Sequence, residues 1–184
     1  YFHRVTRVTE VMLSRAVERS SDSLPDSIDL QRRVDAEIWE ALAGAGDYAQ
    51  DMIRRLKYRQ LLKVCASRRR EDLSEEQASN LLRIVESPEN RRQFEDDLAH
   101  RAGLPPGYVA VDVPNIKLLL AEPRMSQVDV RVMGDDGRTR WLREHTPIAD
   151  ALRNRQVSQA AVYVITLPEH RNKVAQLADR HLFS

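Results

Sequence analysis

The change of residue pattern that decides the fold lies in the stretch LPPGYVAVDV, residues 104–113. Before this stretch apolar residues recur at the three- and four-residue spacings of helices, and two prolines and a glycine then interrupt the helical pattern. The residues 108–113 that follow are typical of a strand. We therefore predict a helical segment over residues 1–104 and a small α+β unit over residues 105–184.

Five helices are predicted on the amino-terminal side. The first carries Val5, Val8, Met12 and Ala16 on one face, and the second ends at Gly44. A third helix is predicted from Tyr48 to Ser67, and because its second half is apolar on all sides we expect it to be buried. The capping box at 74–77 and the Ser-Pro pair at 87–88 start the fourth and fifth helices, and Gly103 ends the last one.

The carboxy-terminal side is predicted to form a small, mainly antiparallel sheet with helices packed on it. Residues 127–132 and 139–142 flank the turn sequence GDDG and are predicted to pair as a hairpin. Residues 160–165 supply another strand, a short helix is expected over 146–154, and Pro168 begins a final helix. The fold class is therefore α+β.

Composition excludes several kinds of protein. The 29 Lys and Arg residues nearly balance the 28 Asp and Glu residues, so no overall field draws the chain to nucleic acid. Cys65 is the only cysteine, which excludes an intrachain disulfide and makes a cytoplasmic location the default expectation. No apolar run approaches the roughly 18 residues that a membrane span needs.

The sequence contains no recognisable catalytic motif. Metal-dependent hydrolases of the HD type use a His-Asp dipeptide among their metal ligands, and none of the five histidines is followed by Asp. Neither a phosphate-binding glycine-rich loop nor a His-Glu-x-x-His motif occurs. We expect no catalytic residue, no metal ligand and no cofactor in this chain, and no enzymatic activity of the chain alone.

A row of cations on the predicted third helix is a candidate anion site. Arg59 and Lys63 would lie on one helical face with Arg55, and like charges at this spacing cost roughly 0.2–0.5 kcal/mol per pair. A phosphate group would compensate them, with a planar fork of donors from Arg and a point charge from Lys. Acidic side chains could do the same, since Asp51 precedes Arg55 by one turn.

Two stretches resemble the part of HD-superfamily deoxynucleotide triphosphohydrolases, the group of the SAM-and-HD-domain enzyme, that follows the catalytic core. They are YFHR at 1–4 leading into TEVML at 9–13, and LKYRQLLK at 56–63. The stretches NRQVSQ at 154–159 and VYV at 162–164 are similar in the same order. The resemblance implies that the chain is the carboxy-terminal part of such an enzyme, whose divalent metal is held upstream.

The same resemblance implies roles for five residues. The tyrosine that matches Tyr1 packs on the substrate sugar in the family, while the residues matching His3, Arg4, Arg59 and Lys63 contact an activating nucleotide at a subunit interface. The implied partners are a dNTP or GTP-like nucleotide and further copies of the chain in a homo-oligomer. The start of the sequence, already in a helical pattern without Met, is also what a chain continuing upstream would give.

Two other functions stay open. A nucleic-acid-binding module would use Arg54, Arg55, Lys57, Arg59, Lys63 and the triplet 68–70, although the balanced net charge argues against it. A protein-interaction domain would use a sheet edge or the last helix.

Overall fold

A computed structural model describes residues 4–24, 29, 32–114, 131–133, 137, 139–141 and 160–183. Its helices are α1 (Arg4–Arg19), α2 (Asp35–Gly44), α3 (Asp47–Lys57), α4 (Glu75–Val85), α5 (Pro88–Ala102) and α6 (Arg171–His181). Its strands are β1 (Lys63–Arg69), β2 (Val109–Asp112), β3 (Arg131–Met133), β4 (Thr139–Trp141) and β5 (Ala160–Thr166). Short 3₁₀ turns lie at Ser21–Ser23, Arg70–Asp72 and Pro168–His170.

The main sheet has three antiparallel strands in the order β1-β5-β2. The central strand β5 pairs Thr166 with both Lys63 and Val109, so the chain on both sides of residue 104 contributes to one sheet. Helix α6 packs on β1 and β5, and α5 packs beside β2. This arrangement confirms the α+β class, while the division of the chain into two domains stays a prediction.

The core forms where the sheet meets the helices. Strand β2 is buried along its whole length, and Val162, Val164 and Ile165 of β5 are fully buried. Met12, Leu98 and Leu182 bring α1, α5 and the end of α6 into the same cluster. Each of these helices covers the sheet with one apolar face, as the helical spacing of the sequence predicts.

Local signals in the sequence set several helix ends as predicted. The Ser74 hydroxyl accepts a hydrogen bond from the Gln77 N–H while the Gln77 side chain accepts one from the Ser74 N–H. Ser87 caps α5 through the Asn90 N–H, and Gly103 ends it with a φ of 76°. These contacts satisfy backbone groups that a helix end leaves unpaired.

The predicted third helix, from Tyr48 to Ser67, is wrong in its second half. Helix α3 ends at Lys57, Arg59 adopts a left-handed φ of 56°, and residues 63–69 form β1 against β5. An apolar run is typical of a buried helix and of a buried strand alike, and pairing with a strand about a hundred residues away decides between them. Arg59 and Lys63 therefore do not share a helical face.

The remaining strand predictions are confirmed where the structure describes the chain. Strands β3 and β4 pair as the predicted hairpin, with Val132 opposite Arg140. Residues 127–130, the turn residues 134–136 and the predicted helix at 146–154 lie outside the described residues.

Ion pairs hold helix α1 against α5 and β2, and we call this surface the ion-paired face. Its residues are Arg7, Arg15, Glu18 and Arg19 of α1 and, opposite them, Arg91, Glu95, Asp96 and Asp112. At its centre the buried Arg15 Nη2 lies 2.8 Å from Glu95 Oε1. Arg7 Nη2 lies 2.6 Å from Asp112 Oδ1, and Arg19 pairs with Asp96. These contacts fix the direction in which α1 begins.

Two of these contacts also reach the backbone of β2, an edge strand of the sheet. Glu95 Oε1 accepts the Val111 N–H at 2.9 Å, and Arg15 Nη2 donates to the Val111 carbonyl at 3.2 Å. Burial raises the pKa of Glu95, and the Arg15 guanidinium opposes that shift. The pair thus satisfies both backbone groups of an edge residue.

Candidate functional site

A surface pocket of about 180 Å³ lies where α1, β1 and α6 begin. Its charged lining consists of Arg4, Lys63 and Arg171, and we call it the cationic pocket. The walls are apolar: Val5, Val8, Leu61, Leu62 and Val64. Among the residues that the structure describes, no acidic side chain lines it.

The three cations come from three elements that the fold brings together. Arg4 is the first described residue of α1, Lys63 is the first residue of β1, and Arg171 is the first residue of α6. All three side chains are exposed, and none forms a hydrogen bond or ion pair with another described residue. Three neighbouring positive charges without a described acidic partner give this pocket a local positive field in a chain of nearly neutral net charge.

The helix starts add to this positive field. A helix begins with unpaired N–H groups and a partial positive charge, so acids are favoured in its first turn. Helices α2, α3, α4 and α5 follow this rule, with Asp35, Asp47, Glu75 and Glu89 among their first-turn acids. Helix α1 has no acid in its first described turn, which begins with Arg4. Helix α6 begins with Arg171, and the 3₁₀ turn that leads into it carries Glu169. Of the two helices that line the pocket, only α1 therefore lacks a nearby first-turn acid among the described residues.

Two of the five predicted nucleotide-binding residues, Arg4 and Lys63, meet in this pocket. Arg59 is exposed on the turn after α3 and is absent from the pocket lining, and Tyr1 and His3 lie outside the described residues. Arg59 is the one residue other than glycine with a positive φ in the described part of the chain. Such a conformation is uncommon and holds the side chain on a fixed turn.

Sequence reasoning missed Arg171. The sequence shows Arg171 only as one of several charged residues in the turn after Pro168, where Glu169 also lies, so nothing in it singled this arginine out.

Acidic side chains neutralise most of the other predicted basic positions. Asp51 pairs with both Arg54 and Arg55, so the acidic compensation left open for Arg55 is the one that the fold uses. The triplet at 68–70 pairs residue by residue with Asp179, with Glu71 and Asp72, and with Glu75. A continuous basic stripe for nucleic acid is therefore missing from this surface of the described chain.

Neither nucleophilic nor metal chemistry is evident in the described residues. Burial raises the pKa of the Cys65 thiol to about 11, and the thiol lies 3.3 Å from the Val164 carbonyl as a hydrogen-bond donor. A thiol with a raised pKa is a poor nucleophile. The described part of the chain also gathers no group of three or more His, Cys, Asp or Glu side chains able to hold a metal ion.

The fold is a helical region built around a small antiparallel sheet, with a surface pocket whose described charged residues are all cations. The chain matches the family described as the HD associated region over residues 1–183, and it belongs to that family. This membership supports its association with HD-domain proteins as an accessory part. A search of curated proteins found no match. None of the described helices is long and apolar enough to cross a membrane.

Proposed function

We propose that this chain is the non-catalytic, carboxy-terminal part of an HD-type nucleotide phosphohydrolase and that its cationic pocket binds the phosphate groups of a dNTP or GTP-like nucleotide. The observation that carries the proposal is that Arg4, Lys63 and Arg171 line one pocket and that no described acidic side chain lines it with them. Family membership supplies the HD-domain context.

The chemistry of the pocket suits a polyphosphate. Arg4 and Arg171 each offer a planar set of donors that fits two phosphate oxygens, and Lys63 offers a compact point charge. The apolar wall formed by Val8, Leu62 and Val64 excludes water from one side of the site and strengthens each of these interactions.

Arg59 is proposed to act beside the pocket and not inside it. It follows Tyr58, which is 63% exposed and lies under the Lys57 ammonium at 5.8 Å from the ring centre. An exposed aromatic ring and a guanidinium on a fixed turn form a surface on which a base or sugar can stack. Tyr1 and His3 remain proposed contacts from the resemblance alone.

The division of labour follows from the residue types. The divalent metal and the water that it activates would belong to the HD domain, because the described residues offer no ligand cluster for them. This chain would contribute binding energy for phosphate groups and would link occupancy of the pocket to the packing of α1, β1 and α6.

The test is a titration of the purified chain with dGTP, dATP and inorganic tripolyphosphate, followed by calorimetry at low salt. We expect the Lys63→Gln/Arg171→Gln double variant to bind tripolyphosphate at least tenfold more weakly, because two charge-assisted contacts are lost. The matched control is Arg180→Gln, an exposed cation at the other end of α6, which should bind as the natural chain does.

Three results would overturn parts of the proposal. Equal loss of binding in Arg180→Gln would mean that only net charge matters. No binding of any of the three probes at millimolar concentration would exclude the phosphate site. Turnover of dNTP by the chain alone, with Mg²⁺ or Mn²⁺, would exclude a non-catalytic role.

A further inference from the structure

Helix α2 is poorly buried for a helix of its apolar composition. Six of its ten residues are apolar, yet Leu42 alone is fully buried. Trp39 keeps 37% of its surface exposed, and Val34, directly before the helix, keeps 65%. Helix α5, which has many more charged residues, buries four side chains. A tryptophan on an open apolar face is costly in water and typical of an interface.

A groove of about 520 Å³ separates α2 from α3, and we call it the Trp39 groove. Ala36, Trp39, Ala43 and Ile53 form its apolar walls. Glu40 of α2 and Lys57 of α3 line it from opposite helices. Neither Glu40 nor Lys57 forms an ion pair with a described residue, and the Lys57 ammonium lies over the Tyr58 ring. Among the described residues, one acid and one base without ion-pair partners thus flank an apolar groove.

This distribution of charge is self-complementary. In an interface with two-fold symmetry, the same patch serves both copies, and a residue on one wall meets the residue on the opposite wall of the other copy. Glu40 of one copy would then face the partner's Lys57, twice per dimer, while the apolar walls cover each other. A partner of uniform charge would satisfy one wall and leave the other unpaired.

We propose that a second copy of this chain docks in the Trp39 groove through a two-fold interface. Each Trp39 enters the groove of the other copy, and each Glu40 pairs with Lys57 of the partner subunit. This contact does not involve the cationic pocket, so the proposal stands or falls independently of nucleotide binding.

The test is sedimentation equilibrium of the chain as a function of concentration. We expect a dimer that Trp39→Glu abolishes and that Glu40→Lys or Lys57→Glu alone weakens at least tenfold, because each reversal places like charges face to face. The double reversal Glu40→Lys/Lys57→Glu restores the opposite-charge pairs and should recover the natural dissociation constant to within about threefold.

Two controls make the result specific. Met133→Lys changes a residue that is 73% exposed outside the groove and should leave the dimer unchanged. In a Trp141→Phe background Trp39 is the only tryptophan, and its fluorescence should shift to shorter wavelength as the dimer forms. Circular dichroism confirms that each variant is folded.

The proposal is overturned if the natural chain stays monomeric at several hundred micromolar, which would assign the groove to another partner. A dimer that survives Trp39→Glu would also overturn it. So would a double reversal Glu40→Lys/Lys57→Glu that dimerises as weakly as the single reversals. Recovery in the double reversal is the outcome that a merely structural role of these residues would not give.

Discussion

The ion-paired face and the cationic pocket both involve helix α1, but they differ in whether its arginines have acidic partners. On the ion-paired face Arg7, Arg15 and Arg19 each meet an acid from another element. At the start of the same helix Arg4 lines a pocket with Lys63 and Arg171, and no acid of the described residues lines it with them. The proposed function takes this difference as the mark of a site for an anion. The predictions below test this contrast, beginning with the largest effect.

The strongest way to break the ion-paired face is Glu95→Gln. This change removes the buried counter-charge of Arg15 and leaves Glu18, 3.2 Å from Arg15 Nη1, as its acid partner. We expect the free energy of unfolding to fall by about 3 kcal/mol, the low end of the range for a broken buried pair. Urea denaturation followed by circular dichroism measures it. The control Arg15→Met/Glu95→Leu removes both charges but leaves the Val111 N–H and carbonyl without these partners, so it should recover only part of the loss. A loss below about 1 kcal/mol in Glu95→Gln would contradict the role assigned to the pair.

A steric change near the same face should cost less. Gly107 has a φ of 90°, and a Cβ at this position would lie 2.6 Å from Tyr48 Cε2 and 2.9 Å from Arg19 Nε. We expect Gly107→Ala to destabilise the chain by about 1–3 kcal/mol in a denaturation experiment, through backbone strain and displacement of the tyrosine. Gly137→Ala is the matched control, because its φ is also positive but nothing lies within 4 Å. Equal losses in the two variants would show that the contact with Tyr48 is unimportant.

The ion pairs of Asp51 lie away from the pocket, and we expect them to stabilise the fold. The pH dependence of the free energy of unfolding tests this expectation. Burial opposes the shift, but hydrogen bonds from Arg55, Arg54 and Tyr108 lower the pKa of Asp51 below its ordinary value. A lowered carboxyl pKa stabilises the fold above the unfolded value of about 3.9, and this contribution disappears as pH falls through the lower folded pKa. We expect Asp51→Asn to cost about 1 kcal/mol at pH 7 and almost nothing well below pH 3.

The measurement is urea denaturation of both proteins at pH 7 and at the lowest pH at which the natural chain is folded. A difference that stays constant between the two conditions would contradict the assignment to the Asp51 carboxylate.

The smallest predicted effect is a gain in the free energy of unfolding, and it comes from a substitution in the cationic pocket. Arg171→Glu places an acid at the first position of α6, and we expect it to raise the free energy of unfolding by about 0.3–1 kcal/mol without added anion. Arg180→Glu, in the last turn of the same helix, should lower stability by a similar amount. Thermal unfolding with and without tripolyphosphate measures both, and only Arg171→Glu should lose the stabilisation by the ligand. Destabilisation by Arg171→Glu would mean that the arginine serves the fold.

The sequence predicted those features that depend on neighbours along the chain. The caps at Ser74 and Ser87, the end of α5 at Gly103 and the hairpin of β3 and β4 all follow from residues close together in the sequence. Strand β1 was missed because its partner β5 lies about a hundred residues later. Burial of an apolar run is visible in the sequence, but the backbone partner that makes it a strand is not.

The candidate site divides in the same way. Arg4 and Lys63 were predicted and do meet, although for the wrong geometrical reason, since Lys63 lies on a strand and not on the helix of Arg55. Arg171 joins them from a helix that begins more than a hundred residues later. The pairing of Arg15 with Glu95 spans 80 residues and was equally invisible. Local periodicity places residues on elements, and tertiary packing alone decides which charges become neighbours.

The Glu95 and Arg15 side chains at the edge of β2 protect this strand from pairing with another chain. An edge strand with free backbone groups is a template for strand addition by another chain, and proteins that lack protection there form aggregates. At Val111 the Glu95 and Arg15 side chains already occupy both hydrogen-bonding groups. Loss of either side chain would therefore expose a short apolar template along with lowering stability, so that intermolecular β-structure would grow from the native sheet.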